Sequence, residues 1–415
     1  MKKIILSAVT ALTLGSVAAN ASDIKLYQDA NGQVFTSAAE GRTLIEDKST
    51  SVFAKADKLK FSGLTYIGYT YDDYKSGMTS NGTTAYSSDT QQFEIRRAYF
   101  QLKAYLLDDP KSYYRVTFDM SKDIVGDEKV RAKYAYLYLD SILPATGVEI
   151  GLAHRPWHDY EEHNSWYFRN ISTVLIESKN GADLSNSADF GIMTKTATKY
   201  FDADIGLFNG EGYHSYQTTP SMSLEWRATA HILGVSGKDK QGSTTYWDAS
   251  FFGQYNQEHK ALTNDIAPKD RGYEDLIFAG LHTVYNMPSF LVAAQYVQSQ
   301  DTRANSIVTG SASSGYKTSD VSGQAGSGYS VNGEYRLGAN KDYRILARYD
   351  SWTPKVMDTD AAYNKANRTG IAGFAWDQNR NVEWVANVEI TKNQAGSSRE
   401  KFNGTAYMLT AQVEF

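Results

Sequence analysis

Gly404-Thr405-Ala406-Tyr407-Met408-Leu409-Thr410-Ala411-Gln412-Val413-Glu414-Phe415 closes the chain. Counted in twos, Tyr407, Leu409, Ala411, Val413 and Phe415 fall on one side; Ala406, Met408, Thr410, Gln412 and Glu414 fall on the other. Side chains alternate across a strand, so this is a strand with one apolar and one mostly polar face. A sheet in water gives the same pattern. The terminal aromatic, with no polar tail after it, turns the expectation towards a strand whose apolar face meets lipid. The rest of the chain should then be a closed set of similar strands, with lipid outside and water inside.

The opening residues agree. Lys2 and Lys3 precede an apolar run from Ile4 to Leu14, and Ala19-Asn20-Ala21 offers a cleavage site, so 1–21 reads as a secretory signal peptide. No later run approaches the ~18 apolar residues of a transmembrane helix. The 415 residues contain no cysteine, which excludes a disulfide framework and thiol chemistry. A net charge of −5 gives no case for nucleic acid. Thirty Tyr against 17 Phe and seven Trp is a bias towards the ring that sits at membrane–water boundaries.

Residues 22–57 read as a periplasmic lead-in with a small hairpin around Asn31-Gly32. Residues 58–415 read as an all-β transmembrane antiparallel β-barrel. Sixteen strand-like runs follow one another: Lys58–Tyr71, Thr90–Leu106, Lys111–Lys122, Val130–Asp140, Gly147–Arg155, Ala188–Ala197, Phe201–Asn209, Met222–Ser236, Ser243–Gln257, Tyr273–Tyr285, Ser289–Ser299, Ser327–Leu337, Asp342–Trp352, Ala366–Trp376, Asn381–Thr391 and Asn403–Phe415. Links after even-numbered runs are short and links after odd-numbered runs are mostly long. Short periplasmic turns and long extracellular loops are the asymmetry of an outer-membrane barrel. Closure is required because an open edge leaves unpaired backbone groups in hydrocarbon.

The third run turns Tyr114, Val116, Phe118 and Met120 out and Tyr113, Arg115, Thr117 and Asp119 in. The second turns Arg97, Tyr99, Gln101 and Lys103 in, but Phe93 and Ile95 break that parity, which predicts a bulge or an aromatic rim. The inward bases are then Arg97, Lys103, Arg115, Arg155, Lys195, Arg227, Arg336, Arg344 and Arg348. The inward acids are Asp119, Glu149, Asp204, Glu334, Asp350, Glu383, Glu389 and Glu414.

Arg96-Arg97-Ala98, Tyr114-Arg115-Val116-Thr117-Phe118-Asp119, Gly151-Leu152-Ala153-His154-Arg155-Pro156-Trp157, Ala188-Asp189-Phe190-Gly191 and Gly206-Leu207-Phe208-Asn209-Gly210 together resemble the phosphate-selective porin family, in its order and spacing. The resemblance covers the first half of the chain. It implies a 16-stranded barrel, a homotrimer, and the third long loop folded into the pore. Arg155 stands where the family usually has lysine, and the inward charges are mixed in sign, so phosphate is not carried over as the solute. The expectation is a water-filled channel in the bacterial outer membrane for passive diffusion of ions and small hydrophilic solutes. Its partners would be membrane lipid, those solutes and its own copies.

A pore selects by width and by the charges at its narrowest point. The longest link, Pro156 to Ser187, holds Trp157, Tyr160, Trp166, Tyr167 and Phe168, more aromatics than an exposed loop carries. It is expected to pack on the inner wall, with Asp159, Glu161 and Glu162 facing Arg97 and Arg115 across the gap and setting up a transverse field. Lys103, Asp119, Arg155, Arg227, Arg344 and Arg348 complete the expected lining. His158 and His163 lack metal-ligand spacing, Asp72 and Asp73 read as solvated loop acids, and the Gly/Ser stretch Thr309–Ser330 lacks a phosphate-loop lysine. No metal or cofactor is expected. A barrel enzyme or a surface adhesin are the competing classes; no G-x-S-x-G motif supports the former.

Overall fold

The computed structural model describes residues 27–29, 34–35, 39–44, 58–74, 89–122, 126–214, 217, 222–237, 242–261, 273–301, 308–309, 317–318, 326–354, 366–393 and 403–415. The expected signal peptide lies outside them. The chain divides into two units, Met1–Ala56 and Asp57–Phe415. In the first, Tyr27–Asp29 pairs with Val34–Phe35, as the expected hairpin requires, and also with Arg42–Leu44, a third short strand.

The second unit is a closed antiparallel barrel of 16 strands. They are β1 (Leu59–Tyr74), β2 (Thr90–Tyr105), β3 (Tyr113–Lys122), β4 (Glu128–Leu143), β5 (Thr146–His154), β6 (Ala188–Ala197), β7 (Phe201–Phe208) and β8 (Ser223–His231). Then follow β9 (Tyr246–Ala261), β10 (Tyr273–Met287), β11 (Phe290–Asp301), β12 (Gly326–Leu337), β13 (Tyr343–Pro354), β14 (Asn367–Asn379), β15 (Val382–Lys392) and β16 (Gly404–Glu414). Each expected run corresponds to one strand. The closing seam runs from Gly404 opposite Tyr74 to Glu414 opposite Leu64, and Phe415 and Gly63 exchange both backbone hydrogen bonds beyond it. The expected parity of β16 holds over most of the strand: Tyr407, Leu409 and Phe415 are exposed while Met408, Thr410 and Gln412 are buried, with Ala411 buried and Glu414 exposed against it.

Outward-facing Phe118, Ile205, Phe251, Leu281 and Val292 are exposed while their strand neighbours are buried, and Phe100, Ile150 and Phe190 are exposed on the same outer face. That belt meets lipid and places the barrel in the outer membrane. No helix among the described residues is long and apolar enough to cross.

Most boundaries shift by a few residues, and the largest difference is at the eighth run. It is expected to extend to Ser236, but β8 stops at His231 and the chain turns, with Gly234 at φ +67° and its N–H donating to His231 O at 2.9 Å. Ile232, Leu233 and Val235 are apolar because they lie exposed at the membrane edge, not because they continue the strand.

Two register shifts matter for the interior. Tyr66 faces Arg97 and Ile67 faces Ile95, so Arg96 is an extra residue in β2, beside the expected parity break. Thr117 faces Tyr134 and Phe118 faces Ala132, so Lys133 is an extra residue in β4. Each bulge lets apolar residues on both sides of it face lipid while turning one more cation inward.

Candidate pore and its lining

The chain leaves the wall at β5. Gly151 takes φ +128°, and an added Cβ there would lie 2.4 Å from Ala135 O, so only glycine fits. Three residues on, β5 ends, and Pro156–Asn164 forms α1, with Arg155 as its extended N-cap and Pro156 opening the first turn. The sequence reading gave this segment no helix. Its aromatics pack on the wall as expected. Trp157 stacks on Phe252 of β9 at 3.6 Å between ring centres, and Tyr160 donates to Asp248 at 2.8 Å. Trp166, Phe168, Ile171, Val174, Leu175 and Ile176 are buried in one cluster with Phe278, Leu346, Trp352 and Val385, which face inward from β10, β13 and β15.

The interior is therefore two-sided. Against β9–β16 the segment 156–187 fills the space with an apolar core. Against β1–β6 a cavity of about 850 Å³ remains, bounded by Asp159, Glu162 and Tyr167 of the segment and by Arg380 and Glu414 near the short turns. Much of its wall is tyrosine: Tyr66, Tyr99, Tyr113, Tyr134 and Tyr136 line it. This corrects the reading of the tyrosine excess as girdle alone. Tyr114, Tyr296, Tyr335 and Tyr407 do lie outside, but a second set faces the lumen.

The inward bases fall into two classes. In the first, a carboxylate neutralises each guanidinium. Arg97 lies 2.6 Å from Asp119, Arg155 2.7 Å from Glu225, Arg227 2.6 Å from Asp204, Arg344 2.6 Å from Asp377 and Arg348 2.6 Å from Asp350. Arg155, Arg227, Arg344 and Arg348 are also buried, so these four are wall ion pairs and not the open lining expected of them. In the second class the partner is a ring face. Lys103 lies over Tyr113 at 4.6 Å, Arg115 over Tyr134 at 4.6 Å, and Lys133 over Tyr99 at 4.8 Å. None of these three has a carboxylate within ion-pair distance among the described residues. Lys103 and Arg115 stand directly opposite across β2 and β3. Like charges so placed repel, and Glu149 and Asp159 offset this only from beyond ion-pair distance.

The loop acids diverge instead of facing Arg97 and Arg115 together. Asp159 alone points to the basic wall, 3.6 Å from Lys195 and 3.7 Å from His154 Nε2. Glu162 bonds Arg169 within its own segment, and Arg169 also holds Glu177, whose carboxyl that guanidinium keeps well below the usual range against the cost of burial. Glu161 points to the opposite wall, bonded to Gln295 near Arg348 and Asp350; burial pushes its carboxyl up to about 8. His158 is buried as a neutral ring, pushed down to about 4 by desolvation. Among the described residues no group of His, Asp and Glu has metal-site geometry.

Arg96 and Lys133 also turn inward, and neither was among the expected lining residues. Arg96 donates to Ile171 O at 3.3 Å, tying the wall to the inserted segment. Strict alternation through Val130-Arg131-Ala132-Lys133-Tyr134 leaves Lys133 on the face opposite Tyr134, and only the bulge turns both inward.

This is the porin fold. Salmonella typhi OmpF, solved in complex with daunomycin, matches with a TM-score of 0.56 at 12% identity, over 87% of this chain and 99% of that one. Pseudomonas putida OprB matches at 0.54 and 11%, over 87% and 95%. The outer membrane channel DcaP of Acinetobacter baumannii matches at 0.54 and 11%, over 86% and 97%. No family model matches the sequence, and no curated protein matches it. At these identities the likeness carries the fold, and the lining must be argued from its own residues.

Proposed function

We propose that this chain is a passive outer-membrane channel for ions and small hydrophilic solutes, that it prefers anions, and that segment 156–187 narrows its bore. The observation that carries the reading is the inner wall of β2–β4, where Arg115 and Lys133 line the cavity and Lys103 stands opposite Arg115, none with a carboxylate within ion-pair distance, while the other inward arginines named above are paired with carboxylates. A low-dielectric wall focuses that charge on passing solutes. A homotrimer suits the barrel's short side. Strands β5 to β8 have 9, 10, 8 and 9 residues, at the lower limit of the ~9–11 that span a bilayer, and a neighbouring subunit would cover what lipid covers poorly.

The test is planar-bilayer conductance with reversal potentials in a potassium chloride gradient, beside the native mass of the purified protein. Steps of current with a reversal potential on the chloride side are expected. Folded protein that inserts and passes no current would overturn the reading, and a potassium-side potential would overturn the anion preference.

A further inference from the structure

Lys133 reaches the lumen only because β4 carries a bulge, and its partners there are unusual. The side chain is 4% exposed, and its ammonium lies over the rings of Tyr99 and Tyr134 at 4.8 and 5.4 Å. Burying an ammonium against rings, with no carboxylate, costs far more than an exposed salt bridge unless something else compensates. Arg115 lies over the same Tyr134 ring at 4.6 Å. Its orientation is fixed from three sides: Nε donates to Thr117 Oγ1 at 3.0 Å, and Nη1 lies 3.3 Å from Tyr136 Oη and 3.0 Å from His154 Nε2. An arginine only donates, so Nε2 of His154 accepts and Nδ1 carries the proton towards Glu149 Oε2, 3.0 Å away. That leaves Nη2 unused. The Tyr99 hydroxyl is buried without a partner. All three groups line the same cavity.

We infer that Lys133, Arg115 and Tyr99 form an anion subsite within the pore, and that its ligand class is the small organic carboxylate. The inference rests on the pore reading above and names a solute class for it. Three separate donors, from an ammonium, half of a guanidinium fork and a phenol, match the two oxygens of a carboxylate. A phosphate calls for more convergent donors, and the fork that would bind it bidentately is already half used. The rings of Tyr113 and Tyr136 offer apolar edges to an organic body. The cavity of about 850 Å³ is sized for such a body and not for a bare ion.

The test is calorimetric titration of the purified, detergent-solubilised protein with benzoate, its neutral analogue benzamide, and inorganic phosphate. Benzoate should bind, and benzamide and phosphate should each bind about tenfold more weakly or worse. Lys133→Gln should weaken benzoate about tenfold, and Tyr99→Phe, which keeps the ring beneath the ammonium, should weaken it by a smaller factor. Lys199→Gln, on a short turn away from the cavity, serves as the control. Benzamide or phosphate binding as tightly as benzoate would overturn the inference. So would unchanged benzoate affinity in both Lys133→Gln and Tyr99→Phe. Because titration needs no current, a protein that conducts but binds no benzoate loses this inference alone. A protein that binds benzoate but never conducts loses the pore reading.

Discussion

Glu161 shows how one side chain ties the inserted segment to the wall. Its burial beside Gln295, Arg348 and Asp350 raises its carboxyl to about 8, desolvation outweighing the help of Arg348. In an undocked, hydrated segment the same group ionises near 4.5. The docked state therefore holds the extra proton between those values, and docking is favoured by acid. Its stability is greatest below about 4.5 and is lost as pH rises through about 8. Backbone hydrogen exchange over 156–187, corrected for intrinsic rate, should speed up between pH 6 and pH 9; Glu161→Gln should flatten that dependence. A wild-type profile as flat as the variant's would remove Glu161 as the cause. The two classes of arginine make a second contrast. Arg115→Glu should move the reversal potential towards cations, at the cost of its bonds to Thr117, Tyr136 and His154. Arg348→Met should leave selectivity alone and lower stability by ~3–5 kcal/mol, because Asp350 stays buried without its partner. Equal shifts of reversal potential in both variants would mean that the ion-paired arginines also face the permeating ion. Alternation in twos identified these inward bases from sequence. It was silent on which were neutralised, since partners such as Glu225 and Asp377 come from other strands.

Among the elements, strands were the legible part and the segment inside them was not. Period-two patterning and the alternation of short and long links are local signals, and both survive in the structure from β1 to β16. The overrun of β8 has a local cause as well: Ile232, Leu233 and Val235 look like strand because lipid selects for them as a core would. The bulges at Arg96 and Lys133 escape pattern reading in different degrees. The first leaves a visible parity break at Phe93 and Ile95. The second hides, because Ala132 and Ala135, on either side of Lys133-Tyr134, fit either face. The helix α1 escapes because its buried face mixes Trp157, His158, Tyr160, Glu161 and Asn164, which no apolar periodicity marks. Gly151, three residues before β5 ends, holds a backbone that no other residue adopts cheaply. Gly151→Ala should cost ~1–3 kcal/mol, seen as a lower urea midpoint, and should loosen the segment downstream. An unchanged midpoint would show that β4 yields at Ala135 and that the glycine is not needed.

On the scale of the whole barrel, the interior is half core and half pore, and its two halves make opposite demands. The wall from β9 to β16 presents Phe252, Phe278, Leu346, Trp352, Ile371 and Val385 inward. Facing open water these would be a liability, since each large apolar side chain uncovered costs ~1.5–3 kcal/mol. Segment 156–187 covers them and in doing so occupies the bore. On the proposed reading one piece of chain sets both stability and width, and the two properties should fail together. Excising 166–184 and joining the ends with a short Gly-Ser linker should raise single-channel conductance several-fold and lower the urea midpoint at the same time. Selectivity should then weaken, because Arg115 and Lys133 would face a wider, more hydrated lumen in which their charges are better screened. A variant that keeps the wild-type conductance would mean that the narrowest point lies elsewhere, and would leave the inserted segment a structural filler. A higher conductance with an unchanged midpoint would mean that the apolar wall finds another cover, and would separate the two roles.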